Sequence, residues 1–147
     1  MTDHTRDGKF ASAAGCMDGR ALPAVQRFAK EELNADNVDI VAAEPGYVRA
    51  RRVSAALLAR LFISQHHHGS DNLIVYGHQE CAGNPVDDDT HKSQTLATAR
   101  RLRRSITDMI IHPVFVERTQ IAEEDVNGWV ARRIPEEPNK VRGRKKR

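Results

Sequence analysis

His78 and Cys81 stand three residues apart, directly after the apolar run Leu73-Ile74-Val75-Tyr76-Gly77. The chain's other cysteine, Cys16, opens the segment Cys16-Met17-Asp18-Gly19-Arg20. Thiolate and imidazole are ligands that zinc favours, and three of them leave a tetrahedral ion one open position, as in catalytic sites. A water in that position ionises near neutral pH and becomes a nucleophile. A His-x-x-Cys pair by itself carries little weight, because a helix-start histidine and a buried thiol produce the same pattern. Cys16 adds to it, since it also follows a run of small, apolar residues. Both motifs then fall where strands end, and open α/β sheets build their sites at the carboxyl ends of strands. A Cys16–Cys81 disulfide competes with this reading, although two cysteines in a reducing compartment are more often metal-binding or catalytic.

The elements that must carry these residues follow from the hydrophobic pattern. Residues 73–77, bounded by Asp71-Asn72 and a Gly/Pro loop, read as a buried parallel strand. Residues 9–15 are a weak strand by propensity, because alanine is a poor strand former, but small side chains suit a crowded central position. Pro23 fits the first turn of a helix in which Leu22, Val25, Phe28, Ala29 and Leu33 share one face. Residues 38–43 form a further strand, broken by Glu44-Pro45-Gly46. A second helix is predicted from about Arg52 to His67 with Val53, Ala56, Leu57, Ala59, Leu61 and Phe62 inward, and a third over about 91–109 with Leu96, Ala99, Leu102, Ile106 and Met109 inward. Residues 110–116 contain a fourth strand in which Pro113 implies an edge position or a later start. Residues 124–133 read as a short terminal helix carrying Trp129. The expected fold is therefore α/β, three-layered, with a mostly parallel sheet of about four strands flanked by helices.

Two other clusters invite metal claims. In His66-His67-His68 consecutive side chains diverge, and histidine is favoured at a helix C-terminus by the dipole. Asp87-Asp88-Asp89 precedes a helix and complements its positive end. Charge is also uneven. Six basic side chains and no acid lie in residues 140–147, so removing them turns the chain's +3 into −3. Residues 135–147 are expected to be a disordered basic tail, either solubilising or suited to contact with a polyanion. Residues 1–8 are expected to be a flexible arm, and residues 9–134 the single folded domain. No run of 18 apolar residues exists for a membrane span, and the polar N-terminus lacks a signal-peptide segment, so the expected location is cytoplasmic.

Together, Cys16-x-Asp18-x-Arg20 and the downstream His78-x-x-Cys81, in this order and each after a strand, resemble the two motifs of the β-class carbonic anhydrases. The resemblance covers about residues 10–118 and implies Zn2+ held by Cys16, His78 and Cys81. It implies reversible hydration of carbon dioxide to bicarbonate by zinc-bound hydroxide. Asp18 would orient the nucleophile and Arg20 would hold Asp18 ionised and aimed. It also implies that Asp18 can instead occupy the metal, and that the chain forms a homodimer or a larger homo-oligomer. The chain departs from the family pattern at Gly19, which lacks a hydroxyl, and at Ala82, where glycine is usual. A family Arg-Asn-Ala-Gly segment is matched only at Gly46. It looks like a compact, divergent member. Alternatives are a non-catalytic zinc module that binds through the tail, a hydrolase of carbonyl sulfide or carbon disulfide, and a thiol redox protein using Cys16 and Cys81.

Overall fold

The structure is a computed structural model and describes residues 6–50 and 53–136. The chain runs β1 (Phe10–Gly15), α1 (Leu22–Leu33), β2 (Asn37–Ala43), α2 (Tyr47–Ala50), α3 (Ala55–His66), β3 (Asn72–His78), α4 (Asp88–Ser105), β4 (Ile110–Arg118), a 3-10 turn (Ala122–Glu124) and β5 (Trp129–Arg133). The sheet order is β2-β1-β3-β4-β5, with the first four strands parallel and β5 antiparallel to β4. Strand alternation divides the core. Leu73 and Val75 face α2, α3 and α4, while Ile74 and Tyr76 face α1 on the opposite side. Alanines in β1 let the central strand be buried between both helical layers: Ala11, Ala13 and Ala14 are all inaccessible.

Three expectations are corrected. The sheet has five strands rather than about four, because residues expected as a terminal helix form β5 instead. Its cause is Asn127-Gly128, whose φ values of 57° and 87° join Val126 to Trp129 in a tight turn. Asn-Gly is the favoured pair where a two-residue hairpin demands two left-handed residues. The helix expected from Arg52 to His67 is α3, Ala55–His66; the expected start at Arg52 lies outside the described residues, and α2 is a separate short helix before it. Its inward stripe is Leu57, Leu61 and Ser64, whereas Phe62 is 56% exposed and Ala56 and Ala59 also face outward. Ser64 faces in because its hydroxyl meets that of Ser12 on β1 at 2.7 Å. Finally, Pro113 sits within β4, paired to β3 on one side. Its carbonyl accepts from Ile134 at 3.0 Å, beyond the last residue of β5. The missing N–H therefore falls where the β4–β5 ladder ends, and the cost is small.

Within the segments expected to be mobile, Arg6 donates to the carbonyls of His66 and His67 at the end of α3. Glu136 makes a fork-like pair with Arg103. The basic residues 140–147 lie outside the described residues. Among the described residues, no helix is long and apolar enough to cross a membrane.

His112 on β4 carries a pH dependence. Its Nδ1 accepts from Arg133 at 2.8 Å and its Nε2 donates to Asn72 at 2.8 Å, so the neutral ring is the bonded form. Burial, then the positive charges of Arg133 and Arg103, lower its pKa from 6.5 to about 4. Because the folded value lies below the unfolded one, protonation favours the unfolded chain. The stabilisation is complete above pH 6.5 and is lost as pH falls toward 4. Urea unfolding at pH 7 and pH 4.5 is expected to show roughly 2 kcal/mol of pH-dependent loss from this residue. That component should disappear in His112→Gln. Equal pH dependence in the two proteins would exclude His112 as its source.

Candidate metal centre

Cys16 is the first residue after β1, and His78 is the last residue of β3, its neighbour in the sheet. Adjacent parallel strands ending at the same level bring the two side chains together. Cys81 returns to them through a turn in which Glu80 takes φ 59°. The three ligand atoms lie within 4.8 Å of one another, and all three residues are buried, a group that could hold a metal ion. Among the described residues it is the one such group. Both cysteines are free, with their sulfurs 3.7 Å apart, so the competing disulfide is not formed in this structure.

The donor set fits a thiophilic ion such as zinc. His78 Nδ1 is bonded to the Gln79 carbonyl at 2.8 Å, which fixes the proton there and leaves Nε2 as the lone-pair nitrogen. That Nε2 is fully buried without a hydrogen-bond partner, an unfavourable state that coordination would relieve. The surroundings favour a thiolate at Cys16. Burial opposes ionisation, but His78, when its Nε2 carries a proton, and the backbone N–H groups of Gly46 and Asp18 outweigh it and bring the pKa down to about 7; a bound cation would take the place of that proton. Burial and the proximity of Cys16 push the Cys81 thiol up instead. Two adjacent thiols competing for one charge is the arrangement that a divalent cation resolves.

Asp18 and Arg20 stand at the open side. Arg20 Nε and Nη2 grip the Asp18 carboxylate, with Nη2–Oδ2 at 2.7 Å, and the Arg20 backbone N–H adds a third bond at 2.9 Å. These bonds outweigh partial burial and hold the Asp18 pKa at about 2. Asp18 Oδ2 is 3.9 Å from His78 Nε2. All five residues expected from the sequence are therefore within one cluster. The His66–His68 run is elsewhere, at the end of α3, where His68 bonds Asp39 at 2.6 Å and stacks on Phe10 at the start of β1. Asp87 caps α4 by accepting from Thr90, and Asp88 accepts from Gln79.

Several neighbours were given no role at the site by the sequence, Gly46 having been noted only as part of a strand break and as the match to the family's Arg-Asn-Ala-Gly segment. Gly46 donates to Cys16 Sγ at 3.5 Å; its φ of 58° and a Gly83 oxygen 2.5 Å from any added Cβ leave room only for glycine. Gly83 packs equally tightly against Pro45 and Gly46, which fits glycine one place after Ala82. Tyr76 donates its hydroxyl to the Cys16 carbonyl at 2.8 Å. Glu80, Arg118 and Trp129 surround Arg20. The tight turn at Glu44-Pro45-Gly46 was the available signal for the first of these. Nothing local in the sequence connects residues 118 and 129 to residue 20.

A mostly parallel α/β sheet brings buried Cys, His and Cys together as a group that could hold a metal ion, and comparison with known proteins supplies the family. The family model described as "Putative carbonic anhydrase" matches residues 6–126, and the chain belongs to that family. The fold is similar to that in the crystal structure of carbonic anhydrase from Streptococcus mutans, with a TM-score of 0.58 and 18% identity over 92% of this chain and 88% of the other. No curated protein matches the chain.

Proposed function

We propose that the protein catalyses the reversible hydration of carbon dioxide to bicarbonate and a proton at a zinc ion held by Cys16, His78 and Cys81. The observation that carries this reading is the convergence of three buried soft donors with an arginine-held carboxylate beside them, in a chain of the carbonic anhydrase family. When bound there, zinc supplies Lewis acidity that brings the ionisation of water close to neutral pH. The remaining work belongs to the side chains. Asp18 Oδ2 accepts a hydrogen bond from the attacking water and fixes the direction of its lone pair. Arg20 occupies the outer edge of that carboxylate, keeping it charged and its rotation restricted. The Gln79 carbonyl holds His78 in one tautomer, and Gly46 N–H stabilises the sulfur of Cys16. A cytoplasmic homodimer is part of this proposal, and Leu58, Phe62 and Ile63 on the outer side of α3 are exposed apolar surface available for assembly.

The test is stopped-flow carbon dioxide hydration on protein whose zinc content has been quantified, with sedimentation to give the oligomer. Turnover proportional to zinc, up to one ion per chain, is the expected result. Full zinc occupancy without turnover from neutral to alkaline pH would overturn the activity.

A further inference from the structure

Glu80 lies between His78 and Cys81 of the second motif and adopts φ 59°, a left-handed conformation that a Cβ disfavours and glycine takes freely. Such backbone persists where surrounding contacts over-determine it. Those contacts converge on Arg20. The Glu80 carbonyl accepts from Arg20 Nη2 at 3.2 Å and its carboxylate meets Arg20 Nη1 at 3.4 Å. The same carboxylate is gripped by both arms of Arg118, at 2.6 and 2.9 Å. Both guanidinium groups lie over the ring of Trp129, at 5.1 and 4.6 Å from its centre, and Trp129 is only 3% exposed. The turn after β3, the end of β4 and the start of β5 thus form a brace behind Arg20.

This brace matters because Asp18 has two competing partners. Its carboxylate is close enough to His78 Nε2 (3.9 Å) to serve as a further metal ligand itself, and carboxylate oxygen is an accepted zinc donor. Arg20 draws it the other way. Arg20 is 44% exposed, and an arginine anchored only by Asp18 would move with it. We propose that Glu80 is a positioning residue that, with Arg118 and Trp129, holds Arg20 in place and so keeps the Asp18 carboxylate off the metal's open position. The inference rests on the metal site and the Asp18 role proposed above.

The test reads the open position directly. Azide is titrated into the cobalt(II)-substituted protein and followed by visible absorption, for the parent, Glu80→Gln, Glu80→Gly, Asp18→Asn and the Glu80→Gly/Asp18→Asn pair. Glu80→Gly removes the carboxylate while relieving the left-handed backbone, so its effect is not that of a strained turn. Both Glu80 variants are expected to bind azide about three- to tenfold more weakly than the parent, because Asp18 then competes for the metal. Adding Glu80→Gly to Asp18→Asn should leave azide affinity unchanged, since the competing carboxylate is gone. Parent-like affinity in both Glu80 variants, or an undiminished effect in the Asp18→Asn background, would overturn the brace. Azide binding that appears only with Asp18→Asn would also overturn it, by showing the carboxylate already on the metal. Parent protein that takes azide but does not hydrate carbon dioxide would overturn the proposed activity instead, while the Glu80 comparison would still decide the brace.

Discussion

Cys16→Ala is expected to yield folded protein that retains no stoichiometric zinc after dialysis and shows no carbon dioxide hydration above background. Of the three proposed donors, Cys16 is the one whose surroundings most favour the ionised form, through His78 and two backbone N–H groups. Without it, His78 and Cys81 are two donors, short of the three protein ligands of a catalytic zinc site. Losing a mere outer partner of a ligand costs about ten- to a hundredfold in metal affinity, and losing a ligand should exceed that. Calorimetry separates this from misfolding. Metal that binds only the folded chain stabilises it by about 4 kcal/mol when present at a thousand times its Kd. A chelator should therefore lower the melting temperature of the parent and leave that of Cys16→Ala unchanged. One zinc per chain in the purified variant would remove Cys16 from the ligand set.

The residues of this centre were legible in the sequence because their chemistry is local. A thiol at the end of one short apolar run and a His-x-x-Cys after another specify donor types and strand ends together. Parallel topology does the rest, setting Gly15 beside Tyr76 and hence Cys16 close to His78. The support around the centre was less legible, because it depends on contacts far apart in the chain. Arg118 reaches Glu80 across the β3–β4 pair, and Trp129 comes under both arginines only after the chain reverses at Asn127-Gly128. That Asn-Gly signal was present, but Trp129, Val130 and Ala131 next to it do not distinguish a short strand from a short helix. The facing of α3 was obscured for a different reason. Its outer surface is apolar, with Phe62 and Ile63 more than half exposed, while the polar Ser64 turns inward to a hydroxyl cluster with Ser12 and Ser70. Hydrophobic periodicity locates a buried face only when the other face is polar.

Asp18→Asn is the substitution that separates the proposed metal binding from the proposed catalysis. Asn is nearly the same shape, and Asp18 is not among the three soft donors, so zinc content should equal that of the parent. The carboxylate accepts at both oxygens, whereas the amide presents two N–H donors on one side. Arg20, which has only donors, would orient the amide oxygen toward itself and turn the N–H groups toward the reaction position. The acceptor needed to fix the attacking water would then be replaced by a donor. Removal of a positioned proton-handling group of this kind is expected to lower kcat by about a hundred- to a thousandfold. Arg20→Ala should show a smaller loss, because the carboxylate survives but is free to rotate toward His78. Zinc analysis beside stopped-flow rates checks both variants. Parent-like turnover in Asp18→Asn would remove Asp18 from the chemistry and leave the Arg20 pair as a surface contact.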